Sequence, residues 1–368
     1  MRILLFATPL ALAVALPSQA ATPPWHGVWQ GTIGRLPVRA CLQQRGGDYQ
    51  NGSYYYLRQL KPIALEHQDD GTWTEQAGGG ETVTGRWSVA LTGGRLAGQW
   101  RGGKATLPIA LTRVAAAAGE DDPCGSDAFM APRVRPIRVL TKPASKGGFA
   151  YSVLTYAVGP SFADVSITSF AFPPTRLGDA AINAALRIDP AKPDGDADYL
   201  GCFKGQLASL GIDGDFQFSY EPALVTPELM SVAVSAGGSC GGAHPSMSNK
   251  HLAFERMTGK AIDLERWFND HGLKPDVGLR PLTPALKAVV LKHFPSGQDA
   301  DADCREVVAD SDYWDLAIDR HGIAFDPSLP HVAQGCGDTA IVPFAELAPF
   351  LSPVGREVAG RLGYRPAR

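Results

Sequence analysis

Beyond its first twenty residues the chain carries no long apolar run, so no later segment has the length of a membrane-spanning helix. It has no Cys-x-x-Cys pair, which removes the thioredoxin-type redox motif and the usual zinc-ribbon spacings. Histidines are few, and His244 and His251 stand seven apart instead of four apart on a helix, so a metal-binding helix is not spelled out. A charge excess is missing as well. The formal net charge is −3 in 368 residues, with both signs spread along the chain, which is not the footprint of a nucleic-acid-binding protein. Finally, residues 25–113 contain no convincing 3.6-residue period, which argues against helices there.

What is present begins with a leader. Arg2, the apolar run Ile3 to Leu16, Pro17 and the small-residue sequence Ser18-Gln19-Ala20 have the order of a secretory signal cleaved before Ala21. No Cys stands at the cleavage site to accept a lipid. The expected location is therefore periplasmic or secreted, without a membrane span. Six cysteines in an exported chain are expected as disulfides. Sequence order suggests Cys41–Cys124, Cys202–Cys240 and Cys304–Cys336.

Residues 21–114 read as short strands between glycine-rich turns, spaced as in an antiparallel barrel or sandwich. Gly27-Val-Trp29, Gly52-Ser-Tyr54, Gly85-Arg-Trp87 and Gly98-Gln-Trp100 repeat a glycine two residues before a large aromatic on the same strand face. Glycine permits the bend a small curved sheet needs, and the aromatic then fills the core or rim. A glycan-stacking cage would use the same Trp29, Trp87 and Trp100. The pattern resembles the Gly-x-Trp strand of lipocalin-like barrels. Residues 115–132, with Ala115 to Ala118 and an acidic Pro-containing stretch, read as a linker.

Residues 133–368 mix periods. Phe216, Phe218 and Tyr220 alternate with polar neighbours, as do Met230, Val232 and Val234, and Leu252 and Phe254, predicting strands with one buried face. Tyr199, Cys202, Phe203, Leu207 and Leu210 share one helix face, and Thr283-Pro284 starts another helix. The expected class is α+β, helices on an antiparallel sheet.

Two motifs suggest chemistry. Gly237-Gly-Ser239-Cys-Gly241 matches the G-x-S-x-G nucleophile elbow, but Ala243-His244-Pro245 leads into a strand where an elbow requires a helix. Asp299, Asp301, Asp303 and Asp310 fall on positions 1, 3, 5 and 12 of a calcium loop, yet Cys304 stands where the turn requires glycine. The competing assignment is acidic capping of a helix around Arg305 to Ala309, and Asp194, Asp196 and Asp198 before the Tyr199 helix fit the same role.

The segment Gly241-Gly242-Ala243-His244-Pro245, then Leu252-Ala-Phe254, Thr258-Gly259-Lys260 and Trp267-Phe268, resembles an extracytoplasmic family with the Gly-Gly-Ala-His-Pro signature. That family occurs in lysozyme-sensing anti-sigma factors and ahead of peptidoglycan deacetylase domains. The resemblance covers about residues 135–352. It implies a non-catalytic protein that binds a cell-wall lytic enzyme or toxin as inhibitor, sensor or immunity protein. Peptidoglycan binding is the alternative, a hydrolase using Ser239 a further one. No cofactor or metal is called for.

Overall fold

A computed structural model describes residues 22–45, 49–76, 82–114, 122–275, 280–295 and 302–363. The expected leader, residues 115–121 of the expected linker, and Asp299 and Asp301 lie outside the described residues.

The front of the chain is a closed antiparallel barrel of eight strands in sequence order, β1 (Gly27–Ile33), β2 (Leu36–Arg45), β3 (Tyr49–Tyr56), β4 (Ile63–His67), β5 (Trp73–Gln76), β6 (Val83–Thr92), β7 (Arg95–Gly102) and β8 (Ala105–Arg113). Closure comes from β8 pairing with β1, and it leaves no unpaired edge. Most inward side chains are apolar, among them Trp29, Ile33, Tyr54, Trp73, Trp87 and Ile109. That is the inverse of a transmembrane barrel, whose apolar band faces outward. The recurrent glycines let neighbours approach. A Cβ at Gly98 would sit 1.9 Å from the Ser88 carbonyl oxygen, and one at Gly85 would sit 2.5 Å from Trp100 Nε1.

The stretch expected as a linker is built into the core from Pro123 onward. Cys124, Phe129 and Met130 pack between Val28, Cys41 and Tyr55 of the barrel and Phe203 and Leu207 beyond it. A 3-10 turn (Pro123–Gly125) and α1 (Asp127–Met130) shape this plug, with the Ser126 hydroxyl accepting from the Phe129 amide as a cap. Fully buried Arg133 donates to the Leu60 and Ser161 carbonyls and to both Asp213 carboxylate oxygens at 2.7 Å.

The second part is α+β. Its larger sheet has six strands in the order β14-β13-β12-β11-β10-β9, comprising β9 (Arg138–Lys146), β10 (Phe149–Ala157), β11 (Val165–Ala171), β12 (Phe216–Val225), β13 (Leu229–Gly238) and β14 (Ser246–Glu255). All pairs are antiparallel except β11 with β12, because two helices, α2 (Asp179–Ala185) and α3 (Tyr199–Leu210), intervene and return the chain in the same direction. Both helices lie on one sheet face. Phe203 and Leu207 pack with Ile167, Phe218 and Val234, while Ile182 and Leu186 pack with Met230, Val232 and Phe254. Asp198 caps α3 by accepting from the Gly201 amide, the role expected of an acid before this helix. The other end of α3 is capped by the barrel, where Gln43 and Asn51 side-chain amides donate to the Ala208 carbonyl.

The closing segment contributes α4 (Pro284–His293), α5 (Ala302–Asp310), a three-stranded sheet of β15 (Trp314–Ile318), β16 (Gly322–Pro327) and β17 (Ala340–Pro343), then α6 (Phe344–Leu347) and α7 (Pro353–Arg361). Thr283 caps α4 with Pro284 in the first turn, as its sequence predicts. Three disulfides join Cys41 to Cys124, Cys202 to Cys240 and Cys304 to Cys336, the pairs that sequence order suggests. No helix among the described residues is long and apolar enough to cross a membrane.

Candidate functional site

With helices on one face, the other face of the six-stranded sheet must either be covered or remain open. Alternation fixes what it shows. In β12 the residues Phe216 and Phe218 point to the helices, so Gln217, Ser219 and Glu221 point away; in β13, Val232 and Val234 point in, so Ala233, Ser235 and Gly237 point away. Strand register then aligns Ser166, Gln217, Gly237 and Met247 in one cross-strand row, and Thr168, Ser219, Ser235 and Asn249 in the next. Across β11 to β14 the result is a hydroxyl- and amide-lined surface with one large apolar side chain, Met247, 61% exposed.

One end of this face is covered. Leu229 and Ala253 pack into the core of the closing segment with Leu316, Ile323 and Phe325. The cover stops at His251. From there two hollows run side by side, sharing Ser235, Met247 and Asn249. One, of about 520 Å³, lies over β11 to β14 with Pro245 at its rim. The other, of about 540 Å³, extends from β14 to Asp326, Gln334 and Thr339 of the closing segment. Gln334 donates to the Met247 carbonyl at 2.7 Å and so fastens that segment to the edge strand.

At the junction, His251 Nδ1 lies 3.1 Å from Asp315 Oδ2 and 3.4 Å from Asp326 Oδ2. Asp315 and Asp326 are direct cross-strand partners in β15 and β16. Burial pushes the Asp326 carboxyl above its usual range; hydrogen bonding from Thr339 and the charge of His251 oppose this, while Asp315 adds to it.

The signature residues serve chain packing and form the rim of the face. Gly241 has φ +99°, and a Cβ there would lie 2.4 Å from the Gly205 carbonyl oxygen of α3. The Cys202–Cys240 bridge holds the same approach. Ala243, His244 and Pro245 are exposed, and Gly242 opens toward solvent. Gly259 of the Thr-Gly-Lys turn, at φ +75°, meets Gly178 before α2, where a Cβ on Gly178 would lie 2.1 Å from the Gly259 amide nitrogen. Beside it Arg256 makes a two-pronged pair with Asp179, at 2.9 and 2.7 Å.

Ser239 follows β13 and precedes a turn into β14, so the strand-to-helix context of a nucleophile elbow is absent; its hydroxyl donates to Asp215 Oδ2 at 2.6 Å. Trp29 and Trp87 are fully buried inside the barrel, the core placement their pattern favours, which rules them out of the alternative glycan-stacking set: a ring with no accessible face has nothing to stack with. Trp100 is half-buried and donates from Nε1 to Glu75 at 2.7 Å. Glu75 also accepts from Tyr54 and Thr84, making a polar network of the barrel interior. Of the calcium-loop candidates, Asp303 belongs to α5 and Asp310 is exposed at its end. The open face and the His251 cluster were not singled out in the sequence. The outward residues were readable as the complements of the buried alternation, but His251 meets Asp315 and Asp326 across 64 and 75 positions, which no local spacing reveals.

No family model and no curated protein matches this chain. Among solved structures it is similar to a DUF3298 family protein from Pseudomonas aeruginosa PAO1, at 15% identity and TM-score 0.34, over 63% of this chain and 97% of that one. A second is a member of the DUF3298 family from Bacteroides fragilis NCTC 9343, at 11% identity and TM-score 0.37, over 63% and 98%.

Proposed function

We propose that this protein is an extracytoplasmic binding protein that holds a protein partner on the open face of its six-stranded sheet. The observation that carries this is the uncovered face itself, with an exposed Met247 between its two hollows, Pro245 of the signature turn at its rim and hydroxyl rows beside it. Such a surface supplies directional hydrogen bonds around an apolar anchor, the usual arrangement of a protein interface. The three disulfides fit an oxidising compartment. The resemblance carried by residues 241–268 supports a cell-wall lytic enzyme, a lysozyme-like muramidase or a rival's toxin, as the partner. On this reading the protein acts as an inhibitor, sensor or immunity factor and performs no chemistry on the partner.

The test measures binding of a purified lysozyme-type muramidase to the full chain and to Met247→Glu and Ser235→Arg, together with lysis of purified sacculi. We expect binding and slowed lysis with the wild type, and loss of both in the two variants at unchanged thermal stability. Lysis unaffected by excess wild-type protein, together with no partner recovered from periplasmic extract, overturns the proposal. Sedimentation with sacculi alone would favour the glycan alternative.

A further inference from the structure

The junction of the two sheets contains a charge arrangement that the fold does not balance. Asp315 and Asp326 stand directly opposite each other on β15 and β16. Like charges at such a position destabilise a strand pair. Among the described residues no lysine or arginine pairs with either; both converge on one ring nitrogen, His251 Nδ1. A single N–H donates well to one acceptor, so one carboxylate is left over. Asp326 Oδ2 is that remainder, a buried oxygen with no hydrogen-bond partner, while its other oxygen accepts from Thr339. Buried polar atoms are satisfied in the great majority of cases, so an orphan oxygen aimed at a second carboxylate and an imidazole points to a cation between them.

From this geometry we propose that His251, Asp315 and Asp326 bind a divalent transition-metal ion of the zinc or manganese class. The three donor atoms lie within 4.8 Å of one another, and two of the separations are 3.1 and 3.4 Å. Two ligands about 2.1 Å from one ion stand about 3.0 to 3.4 Å apart, depending on whether the angle is square or tetrahedral. The imidazole nitrogen therefore already stands at coordination spacing from each carboxylate. One imidazole with two carboxylates suits a borderline ion, whereas calcium and magnesium favour oxygen-only sites. Hollows of about 540 and 170 Å³ flank His251 on its two sides, leaving room for water to complete the shell. The ion would tie the closing sheet to edge strand β14 at the end of the open face. It requires Nδ1 unprotonated, so binding displaces the His–Asp hydrogen bond and any proton shared by the carboxylates.

The full chain, stripped with chelator, is titrated calorimetrically with Zn2+ and Mn2+, and with Ca2+ and Mg2+ for comparison. The expected result is one Zn2+ or Mn2+ per chain, with affinity reduced by more than about tenfold in both Asp326→Asn and His251→Gln, since even removing a hydrogen-bond partner of a metal ligand costs about 10–100-fold. X-ray absorption of the zinc-loaded wild type should show imidazole and oxygen donors without sulfur, which decides the matter even if a variant misfolds. A wild type that binds neither ion, equal affinity in folded variants, or a shell lacking imidazole overturns the proposal. None of these outcomes depends on a protein partner.

Discussion

Replacing Asp179 with Asn tests whether the Thr-Gly-Lys stretch is held as the structure indicates. Asp179 is fully buried at the first position of α2 and is the acceptor for both prongs of Arg256, which is itself nearly buried. Burial alone would raise its carboxyl; the Arg256 hydrogen bonds and the amides of Thr175 and Arg176 outweigh burial and lower it from 3.8 to about 2. At about 1.4 kcal/mol for each tenfold change in proton affinity, this is about 2 kcal/mol of stability at neutral pH. Because the folded value lies below the unfolded one, the contribution is present above the unfolded value of 3.8 and is lost as pH falls through about 2. Asn leaves the guanidinium buried without its counter-charge, so the loss at pH 7 should be larger, about 3–5 kcal/mol. Urea unfolding of both proteins, followed by near-ultraviolet circular dichroism and tryptophan fluorescence, measures it. The gap should narrow by more than about 1 kcal/mol between about pH 5 and pH 2.5, as the wild-type carboxyl protonates and comes to resemble the amide. A gap under about 1 kcal/mol at pH 7, or one that does not change with pH, would refute the assignment of the pair as a structural clasp.

Cys240→Ser opens a bridge across a sequence separation of 38, and the chain-entropy relation gives about 4 kcal/mol for a loop of that size. Mass mapping of non-reduced wild type should return the three pairs and no free thiol, and the variant should unfold at clearly lower denaturant. Gly241→Ala should cost more than Ser239→Ala: the first combines a φ of +99° with a contact 2.4 Å from a backbone oxygen, while the second removes one hydrogen bond to Asp215. A single lost hydrogen bond is worth about 1 kcal/mol. Thermal unfolding checks the order, and a reversal would mean that the signature glycine is not held against α3.

Much of the fold was legible because its signals are local. Most barrel strands lie between short turns that carry glycine or proline, so all eight could be placed, while the choice between barrel and sandwich rests on the long-range pairing of β8 with β1. The same holds for α3 and α4, whose caps Asp198 and Thr283 stand directly before the periodic stretch. Strands β9 and β10 were not read. β9 is an outer strand exposed on nearly every residue and interrupted by Pro143, which an edge tolerates, so it lacks the alternation that betrays a half-buried strand. α7 was also missed, although Ser352-Pro353 repeats the signal of Thr283-Pro284. The linker assignment stopped too late, because acidic and proline-rich composition says nothing of Cys124 and Phe129 being fully buried.

The candidate site was less legible for a physical reason. A signature of glycines marks places where backbones touch: Gly241 against Gly205, Gly178 against Gly259. Such contacts admit almost no other residue, so they fix how the backbone packs and say little of what the surface holds. On the proposed reading recognition falls instead to outward positions such as Ser235, Asn249 and Met247, where the backbone accepts many side chains at little cost in stability. Local alternation tells which residues face outward, but whether that face is open depends on where the closing segment stops. That limit is set by Leu229 and Ala253, which are covered, and by His251, where cover ends against two aspartates brought from far along the chain. The signature and the site are therefore neighbours in space but separate in chemistry, the first fixing the sheet and the second using its exposed side.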